Sequence, residues 1–307
     1  MMETKQEEKE KKVAVGHNGH SHHAETEVRL AVQKTYKLYI DGKFPRTESG
    51  RYYKLNDKNG KVIANICRAS RKDFRDAVVV ARKAQGDWQK KSAFNKGQIL
   101  YRIAETLETR RQQFVSALGL QGVSEAAAQK EVSAAVDMLV YYAGWSDKYQ
   151  QVFSSVNPVE SSHFNFSFPE PTGVVAAIES QQQGLLNLVS LMAPALAGGN
   201  SIIILAAEKF PLTAIDFAEV LNASDVPGGV VNILTGFSKE LHSHFSSHMD
   251  VNAIVYAGDD STELKTIQTN AAGNVKRVVV VRNIAEESPY RIMELQEVKT
   301  TWHPVGI

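Results

Sequence analysis

Short apolar runs between residues 170 and 281 alternate with amphipathic stretches of about 10–15 residues. The runs cover residues 174–178, 202–204, 230–234, 253–256 and 278–281. Strands of a parallel sheet are buried on both faces, so they consist of continuous Val/Ile runs rather than of alternating polar and apolar residues. The pattern therefore predicts an α/β fold with a Rossmann-like, doubly wound parallel sheet and helices on both sides.

The segment before residue 170 is predicted to add strands and helices. Strands are expected at residues 37–40, 52–55 and 62–66, with turns at Asp41-Gly42 and Asn59-Gly60, because glycine accepts a positive φ. A capping pattern opens the first helix at Ser70, and Gly86 is expected to end it. Two further amphipathic helices are predicted over residues 95–118 and 124–145.

Residues 161–168 alternate so that Phe164, Phe166 and Phe168 share one face of a half-buried strand. Two interpretations of this face remain open. It forms a contact with another subunit, or it packs against helices of the same chain.

The two ends of the sequence differ from the centre. Residues 1–30 are rich in Lys, Glu and His and are predicted to form a disordered tail, so residues 31–307 form the domain. The cluster His17, His20, His22 and His23 is either a transition-metal site or a flexible polar tail. In the extension at residues 283–307, a short helix is expected at 290–298. The segment from Thr300 is expected to pair with the phenylalanine strand or with a partner's edge.

Composition excludes several classes of function. Of the 307 residues, 43% are hydrophobic and 22% are charged, and the net charge of +1 does not favour nucleic acid or an anionic membrane. No apolar run reaches the roughly 20 residues that span a bilayer. The single cysteine, Cys67, excludes an internal disulfide and, with no secretory signal visible, predicts a cytoplasmic location. Cys67 is expected to be structural, and Tyr141, Tyr142 and Trp145 are expected to be core residues.

The segments EPTGVVAAI, APALAGGNSIIIL, PLTAIDFAEVL and VPGGVVNILTG occur in order, and together they resemble the cofactor domain of the aldehyde dehydrogenase superfamily. The resemblance extends over about residues 37–281. It implies NAD(P) as cofactor and aldehyde oxidation as reaction. The YYAGWSDK helix and the WHPVG ending are similar to the shortened second repeat of two-repeat aldehyde dehydrogenases. That similarity implies a full-length aldehyde dehydrogenase as partner.

The catalytic groups that the resemblance implies are missing from their positions. The family attacks its substrate with a cysteine that follows the cofactor domain, and no cysteine follows Cys67 here, so we expect the catalytic domain to be absent. The family's Glu-Leu-Gly-Gly motif, which holds its general base, is replaced by residues 281–284. The loop that carries the oxyanion amide is replaced by residues 180–184, in which Gln182 keeps an amide at the family's position. No catalytic residue is therefore expected.

The cofactor pocket that the resemblance implies is also degraded. The family's ribose-binding lysine is replaced by Leu205, and the cofactor residues that remain in a vestigial form are Glu208, Gly236 and Gly258. Asp259 and Asp260 lie where the family holds the pyrophosphate at a helix N-terminus, and their negative charges oppose an anion. No cofactor is expected, and NAD(P) binding is the alternative.

Three functions are compatible with these observations. The first is a non-catalytic, oligomeric subunit that assembles with a full-length aldehyde dehydrogenase, or with itself, and supports NAD(P)-dependent aldehyde oxidation. The second is an NAD(P)-dependent aldehyde oxidoreductase in its own right. The third is a nucleotide-binding module without a reaction.

Overall fold

The computed structural model describes residues 32–57 and 59–306. The tail predicted for residues 1–30, with its histidine cluster, lies outside these ranges. The helices are α1 Arg71–Lys90, α2 Ala93–Thr109, α3 Arg111–Leu120, α4 Glu125–Trp145, α5 Tyr149–Phe153, α6 Leu185–Ala197, α7 Pro211–Asn222, α8 Ser238–Ser247, α9 Ser261–Ala272 and α10 Tyr290–Met293. The strands are β1 Thr35–Tyr36, β2 Tyr52–Asn56, β3 Val62–Cys67, β4 Ser155–Asn157, β5 His163–Pro171, β6 Val174–Ile178, β7 Ser201–Leu205, β8 Val231–Leu234, β9 Ala253–Tyr256, β10 Arg277–Val280 and β11 Gln296–Pro304.

The five predicted apolar runs form one parallel sheet in the order β10-β9-β6-β7-β8. The chain builds outward from β6 through β7 to β8, then returns to the other side of β6 with β9. The strand order reverses between β6 and β9, and ligands of doubly wound sheets bind at the carboxyl edge beside such a reversal. The predicted doubly wound α/β fold is confirmed.

Helices cover both faces of this sheet. Alternate strand residues such as Val175 and Ile204 join one core with α2, α4, α6 and α7. Their neighbours, such as Ala176 and Ile203, join a second core with α1, α8 and α9. Because side chains alternate across a strand, a fully apolar strand supplies both cores at once.

The helical predictions were correct in type but wrong at two boundaries. Helix α1 continues through Gly86 to Lys90, because Trp88 is buried and its indole N–H donates to the Leu196 carbonyl at 3.2 Å. This contact offsets the loss of helix stability caused by a glycine inside the helix, which is about 1 kcal/mol relative to alanine. The helix predicted over residues 95–118 is two helices, α2 and α3, which meet at Arg110.

The first predicted strand was also displaced. Strand β1 covers Thr35–Tyr36 and pairs with β3, whereas within residues 37–40 only isolated bridges occur, from Tyr39 to Ile233 and from Ile40 to Lys43. The turn between Ile40 and Lys43 is the predicted one, with φ of 58° at Asp41 and 70° at Gly42.

The extension after residue 283 forms less helix and more strand than expected. Helix α10 ends at Met293, and β11 then pairs antiparallel with β5 over nine residues, in a sheet of order β11-β5-β4. Within the described chain this sheet realises the first of the two predicted pairings, the one with the phenylalanine strand. Phe164, Phe166 and Phe168 lie on one face with their rings in succession, and Phe164 is 45% exposed.

The residues predicted to be structural lie in the cores. Cys67 and Tyr142 are buried, and the half-buried Tyr141 and Trp145 pack against the first core. Across residues 32–57 and 59–306, no helix combines the length and the apolar character needed to cross a membrane.

Candidate functional site

A cleft of about 530 Å³ opens at the carboxyl edge of the central sheet. Its walls come from the segments that follow β6, β7 and β9, together with the first turns of α8 and α9. This is the edge at which the reversal of strand order predicts a ligand. Its lining includes Glu179, Glu208, Lys239, His242, Tyr256, Asp259, Asp260 and Glu263.

Glu179 follows the last residue of β6 and is 3% exposed. The backbone N–H of Ala207 donates to its Oε2 at 3.1 Å, while no donor of the described chain reaches its Oε1. Burial raises the pKa of Glu179 well above its ordinary value. The hydrogen bond from Ala207 opposes this shift, and the nearby carboxylate of Glu131 adds to it.

Glu131 connects α4 to the loop below the cleft. Its Oε1 accepts the backbone N–H groups of Gly184 at 3.0 Å and of Leu186 at 3.2 Å, at the start of α6. An acidic group is favourable at a helix N-terminus, where the backbone N–H groups lack partners. Glu131 therefore fixes the loop between β6 and α6.

Glu263 is the centre of a hydrogen-bond network that closes one side of the cleft. The Tyr256 hydroxyl donates to its Oε2 at 2.8 Å, and the Ser238 hydroxyl donates to its Oε1. His242 Nδ1 lies 3.2 Å from the same Oε1. The Ser238 hydroxyl proton is therefore directed at the Glu263 carboxylate.

Two of the three predicted cofactor residues lie in the cleft. Glu208 accepts the backbone N–H of Ser238 at 3.0 Å, and Gly258 accepts a bond from Arg282 at its carbonyl, also at 3.0 Å. Gly236 lies instead against the loop before α1, where an added Cβ would be 3.3 Å from the Ala69 nitrogen. The structure thus brings Glu208 and Gly258 together and leaves Gly236 outside the lining.

The two aspartates at the start of α9 have protein partners. Asp260 is the N-cap, since its Oδ1 accepts the N–H groups of Thr262 at 2.8 Å and Glu263 at 3.1 Å. These bonds lower the pKa of Asp260 below its ordinary value. Asp259 accepts the Gln182 side-chain amide at 2.7 Å. The amide that the sequence retains is therefore held by Asp259.

The charges of the lining oppose an anionic ligand. Carboxylates come from Glu208, Asp259, Asp260 and Glu263, against one ammonium group and one imidazole in the same lining, whereas burial favours the neutral form of Glu179. Two like charges about 4 Å apart repel by about 4 kcal/mol at an effective dielectric of 20. The lining therefore does not fit the pyrophosphate of a dinucleotide, and Leu205, at the end of β7, is 2% exposed and offers no cation.

In the part of the chain that the structure describes, the cleft contains neither the cysteine nor a metal site. Cys67 is not among the lining residues, and its carbonyl accepts the Thr235 hydroxyl at 2.7 Å. Among the described residues, no group of three or more His, Cys, Asp or Glu side chains could hold a metal ion.

Glu179 and Glu263 are the residues that the sequence analysis missed. Glu179 had a signal, because a charged residue directly follows a fully apolar strand at the carboxyl edge. Glu263 had none, because it lies inside the first turn of a helix where glutamate is common.

A larger groove of about 820 Å³ lies between α2 and α4. Its lining includes the exposed residues Phe94, Tyr101 and Val140. Its polar residues form no network comparable to that of Glu263, so the cleft at the sheet edge remains the candidate site.

A model of the Aldehyde dehydrogenase family matches residues 44–281. The chain belongs to this family. The match contains the whole central sheet and every residue of the cleft. The predicted resemblance is thereby confirmed at the level of the family.

Individual aldehyde dehydrogenases match over the same region. The aldehyde dehydrogenase of Aspergillus niger is 31% identical over 246 residues, which are 79% of this chain and 49% of that protein. The mitochondrial benzaldehyde dehydrogenase of Antirrhinum majus is 31% identical over 264 residues, with coverages of 84% and 48%. The chain spans about half the length of these curated relatives.

Solved structures agree with the fold. The NAD+ complex of an aldehyde dehydrogenase from Bacillus cereus superposes with a TM-score of 0.76 at 27% identity, over 80% of this chain and 50% of that one.

Proposed function

We propose that this chain is a non-catalytic member of the aldehyde dehydrogenase family that assembles with a full-length aldehyde dehydrogenase subunit. In this role it supports NAD(P)-dependent aldehyde oxidation by the partner and binds no dinucleotide itself. A cytoplasmic location is part of the proposal, because the lone cysteine is a free, buried thiol.

The observation that carries the proposal is the lining of the cleft. Its carboxyl groups repel a pyrophosphate, and the bonds of Tyr256 and Ser238 to Glu263 close the side formed by α8 and α9. Residues 281–284 occupy the place of the Glu-Leu-Gly-Gly motif that the family resemblance implies, and the Arg282 guanidinium is bonded to the Gly258 carbonyl. The groups that would bind the cofactor and activate water are thus replaced by groups that bind each other.

The sheet β11-β5-β4 supports the assembly. Within the described residues β11 pairs on one side only, so nine residues of backbone remain available along its other edge. Val298 is 66% exposed and Trp302 is 57% exposed on this strand. A long edge strand with exposed apolar side chains favours pairing with a further chain, since it offers unpaired backbone groups beside apolar surface.

Co-purification tests the assembly. The full chain carrying an affinity tag is co-expressed with a full-length aldehyde dehydrogenase of the same organism, and the complex is sized by light scattering. We expect a stable complex that the double substitution Val298→Lys and Trp302→Lys abolishes, because two ammonium groups cannot be buried in a strand pairing. The control is Met249→Lys, at a residue 74% exposed elsewhere on the surface, which should leave the complex intact. A partner that elutes alone beside the unsubstituted chain would contradict the assembly.

A titration tests the loss of the cofactor. NAD+ and NADP+ are added separately to the full chain in a calorimeter, with the partner as positive control. We expect saturable heat from the partner only. Saturable heat from this chain, with a stoichiometry near one, would refute the proposal.

The second candidate is that a protein containing this chain is itself an NAD(P)-dependent aldehyde oxidoreductase. Its support is the family membership and the retention of Glu208 and Gly258 at the cleft. The same titration separates the alternatives, because this candidate requires NAD(P) binding together with NADH formation from an aldehyde. Binding without turnover would favour the third candidate, a nucleotide-binding module.

A further inference from the structure

The outer edge of β11 is defined by the backbone groups that point away from β5. At one end of the strand, the Leu295 carbonyl accepts the Thr172 N–H at 3.1 Å. At the other end, the Val305 N–H donates to the Ser162 carbonyl at 3.2 Å. Because the N–H and C=O groups of successive residues point to opposite sides of a strand, the odd-numbered residues of β11 face β5. The even-numbered residues therefore present their N–H and C=O groups at the outer edge.

The ends of this outer edge differ from its centre. The Gln296 carbonyl accepts Arg277 Nη1, so its outward acceptor is occupied. Pro304 has no N–H, so its outward donor is missing. Between them, the outward groups of residues 298–302 make no backbone bond within the described chain. The edge thus has an open stretch centred on Thr300, with an occupied acceptor at one end and a missing donor at the other.

A second copy of the chain, turned about a two-fold axis at Thr300, complements this edge. In the antiparallel pairing each Gln296 lies opposite Pro304 of the other copy, so the occupied carbonyl meets the residue that has no N–H to donate. The Gln296 N–H remains free to donate to the Pro304 carbonyl. Val298 lies opposite Trp302, and Thr300 lies opposite its own copy. Every outward N–H and C=O of the open stretch then has a partner.

The side chains that this register places opposite each other are also compatible. Val298 and Trp302, which are 66% and 57% exposed, lie on one face and cover each other in the pairing. On the other face Glu297 lies opposite His303, and the two copies of Lys299 are kept apart. The register therefore covers exposed apolar surface and sets no like charges opposite each other.

Neighbouring registers lose one of these features. With the axis at Lys299, the two copies of this residue lie directly opposite and repel. With the axis at Thr301, Pro304 lies opposite Val298, whose outward carbonyl then has no donor. An axis between two residues sets outward-pointing groups opposite residues that face β5, so no ladder forms. The axis at Thr300 is therefore the favoured one.

We infer that the free chain forms a two-fold symmetric dimer through the outer edge of β11, in the register that pairs Thr300 with Thr300 of the second copy. The two β11-β5-β4 sheets then form one continuous antiparallel sheet, and the edge at β11 is closed. The inference rests on the assembly edge of the proposed function, and it names what covers that edge when the full-length subunit is absent. Because both use the same edge, the second copy and the full-length subunit compete for it.

Sedimentation equilibrium of the full chain alone tests the dimer. We expect twice the monomer mass of 33.9 kDa. Thr300→Pro should give a monomer, because it removes the central outward N–H and leaves the bonds to β5, which the odd-numbered residues make. The matched control is Thr300→Ala, which also loses the contact of the hydroxyl with Ser167 at 2.8 Å but keeps the N–H, so it should stay dimeric. A monomeric unsubstituted chain, or a Thr300→Pro variant that is folded by circular dichroism and still dimeric, would overturn the inference.

Cysteine cross-linking tests the register, and Cys67 gives little background because it is buried. Thr300→Cys places two thiols at the axis, where the Cα atoms of a hydrogen-bonded pair lie about 5.5 Å apart, within the range of a disulfide. Oxidised glutathione should therefore convert this variant to a covalent dimer. The control Glu297→Cys should stay unlinked, because its two copies lie about 20 Å apart along the ladder. Mixed with His303→Cys, which lies opposite, it should form the disulfide. Absence of linkage in the Thr300 variant, or equal linkage in the Glu297 variant alone, would overturn the inference.

Comparison with the co-purification separates this inference from the proposed function. A monomeric chain that still binds the full-length aldehyde dehydrogenase overturns the inference and leaves the proposed function standing. A dimer that Thr300→Pro dissociates, without any complex with the full-length protein, supports the inference and contradicts the proposed assembly. A dimer that dissociates when the full-length subunit is added supports both.

Discussion

The hydrogen bond between Tyr256 and Glu263 determines how firmly the α9 side of the cleft is closed. Tyr256 is fully buried at the end of β9, and its hydroxyl donates to Glu263 Oε2 at 2.8 Å. Tyr256→Phe removes this donor and leaves the ring in place. We expect the variant to fold with the same secondary structure and to be less stable.

The magnitude follows from the charge and the remaining partners of Glu263. A hydrogen bond to a charged group contributes about 1.5–3 kcal/mol. Since Glu263 keeps its bonds to Ser238 and His242, we expect a loss of about 2 kcal/mol in the free energy of unfolding. For a chain of this size that corresponds to a fall of about 4 °C in melting temperature.

A double-mutant cycle isolates the pair. Tyr256→Phe, Glu263→Ala and the double variant are unfolded in urea, and the free energies are compared at pH 7. We expect a coupling energy of about 1–2 kcal/mol, because the two side chains are in direct contact. Tyr101→Phe is the control, since Tyr101 is half exposed on α2 and its hydroxyl makes no bond to the described residues. A coupling energy below about 0.5 kcal/mol would refute the network as a closing element.

Three further predictions concern stability. Gly229→Ala should lower the free energy of unfolding by about 3 kcal/mol, because φ is +83° and the added Cβ would lie 2.6 Å from the Val80 carbonyl oxygen. The control is Gly50→Ala, where φ is +66° and the added Cβ meets open space, so the free energy of unfolding should fall by only about 1 kcal/mol. Equal losses in urea unfolding would contradict the steric argument. Val275→Asn should raise the free energy of unfolding by about 1 kcal/mol, because Val275 is 94% exposed and its φ of 54° suits asparagine better than valine. An unchanged melting temperature would contradict this prediction. Burial lowers the pKa of Lys276 from 10.5 to about 8, so between these values the unfolded state binds more protons and stability rises with pH, by at most about 1.4 kcal/mol per pH unit. Lys276→Met should lack this rise, and identical slopes from pH 8 to 9.5 would refute it.

The sequence predicted the central sheet well because a strand that is buried on both faces consists of a continuous apolar run. All five runs became strands within a residue or so of their predicted limits, and the range 253–256 was correct at both ends. No comparable sequence pattern marks the break between α2 and α3. The residues around Arg110 are good helix formers, and the change of direction brings Phe114 to 6.4 Å from Phe217, a contact of distant residues.

Strand β11 shows the same limit. Its partner β5 lies more than a hundred residues away in sequence, so the local pattern at residues 290–298 allowed a helix where tertiary pairing produces a strand. At the cleft, the family resemblance identified Glu208 and Gly258, and the two lie together because the carboxyl ends of parallel strands meet at one edge of the sheet. The partners of Glu263 could not be predicted, since they depend on how α8 and α9 pack together.

The cleft separates the contribution of the fold from the contribution of the side chains. The reversal between β6 and β9 forms an opening at the carboxyl edge whatever residues line it. Here most lining carboxylates are bonded within the protein, and a closed network of this kind needs no ligand for stability. Glu179 is the exception, because its Oε1 has no donor in the described chain. Burial raises the pKa of this carboxyl group well above its ordinary value, so the unpaired group costs less in its neutral form than it would as an ion.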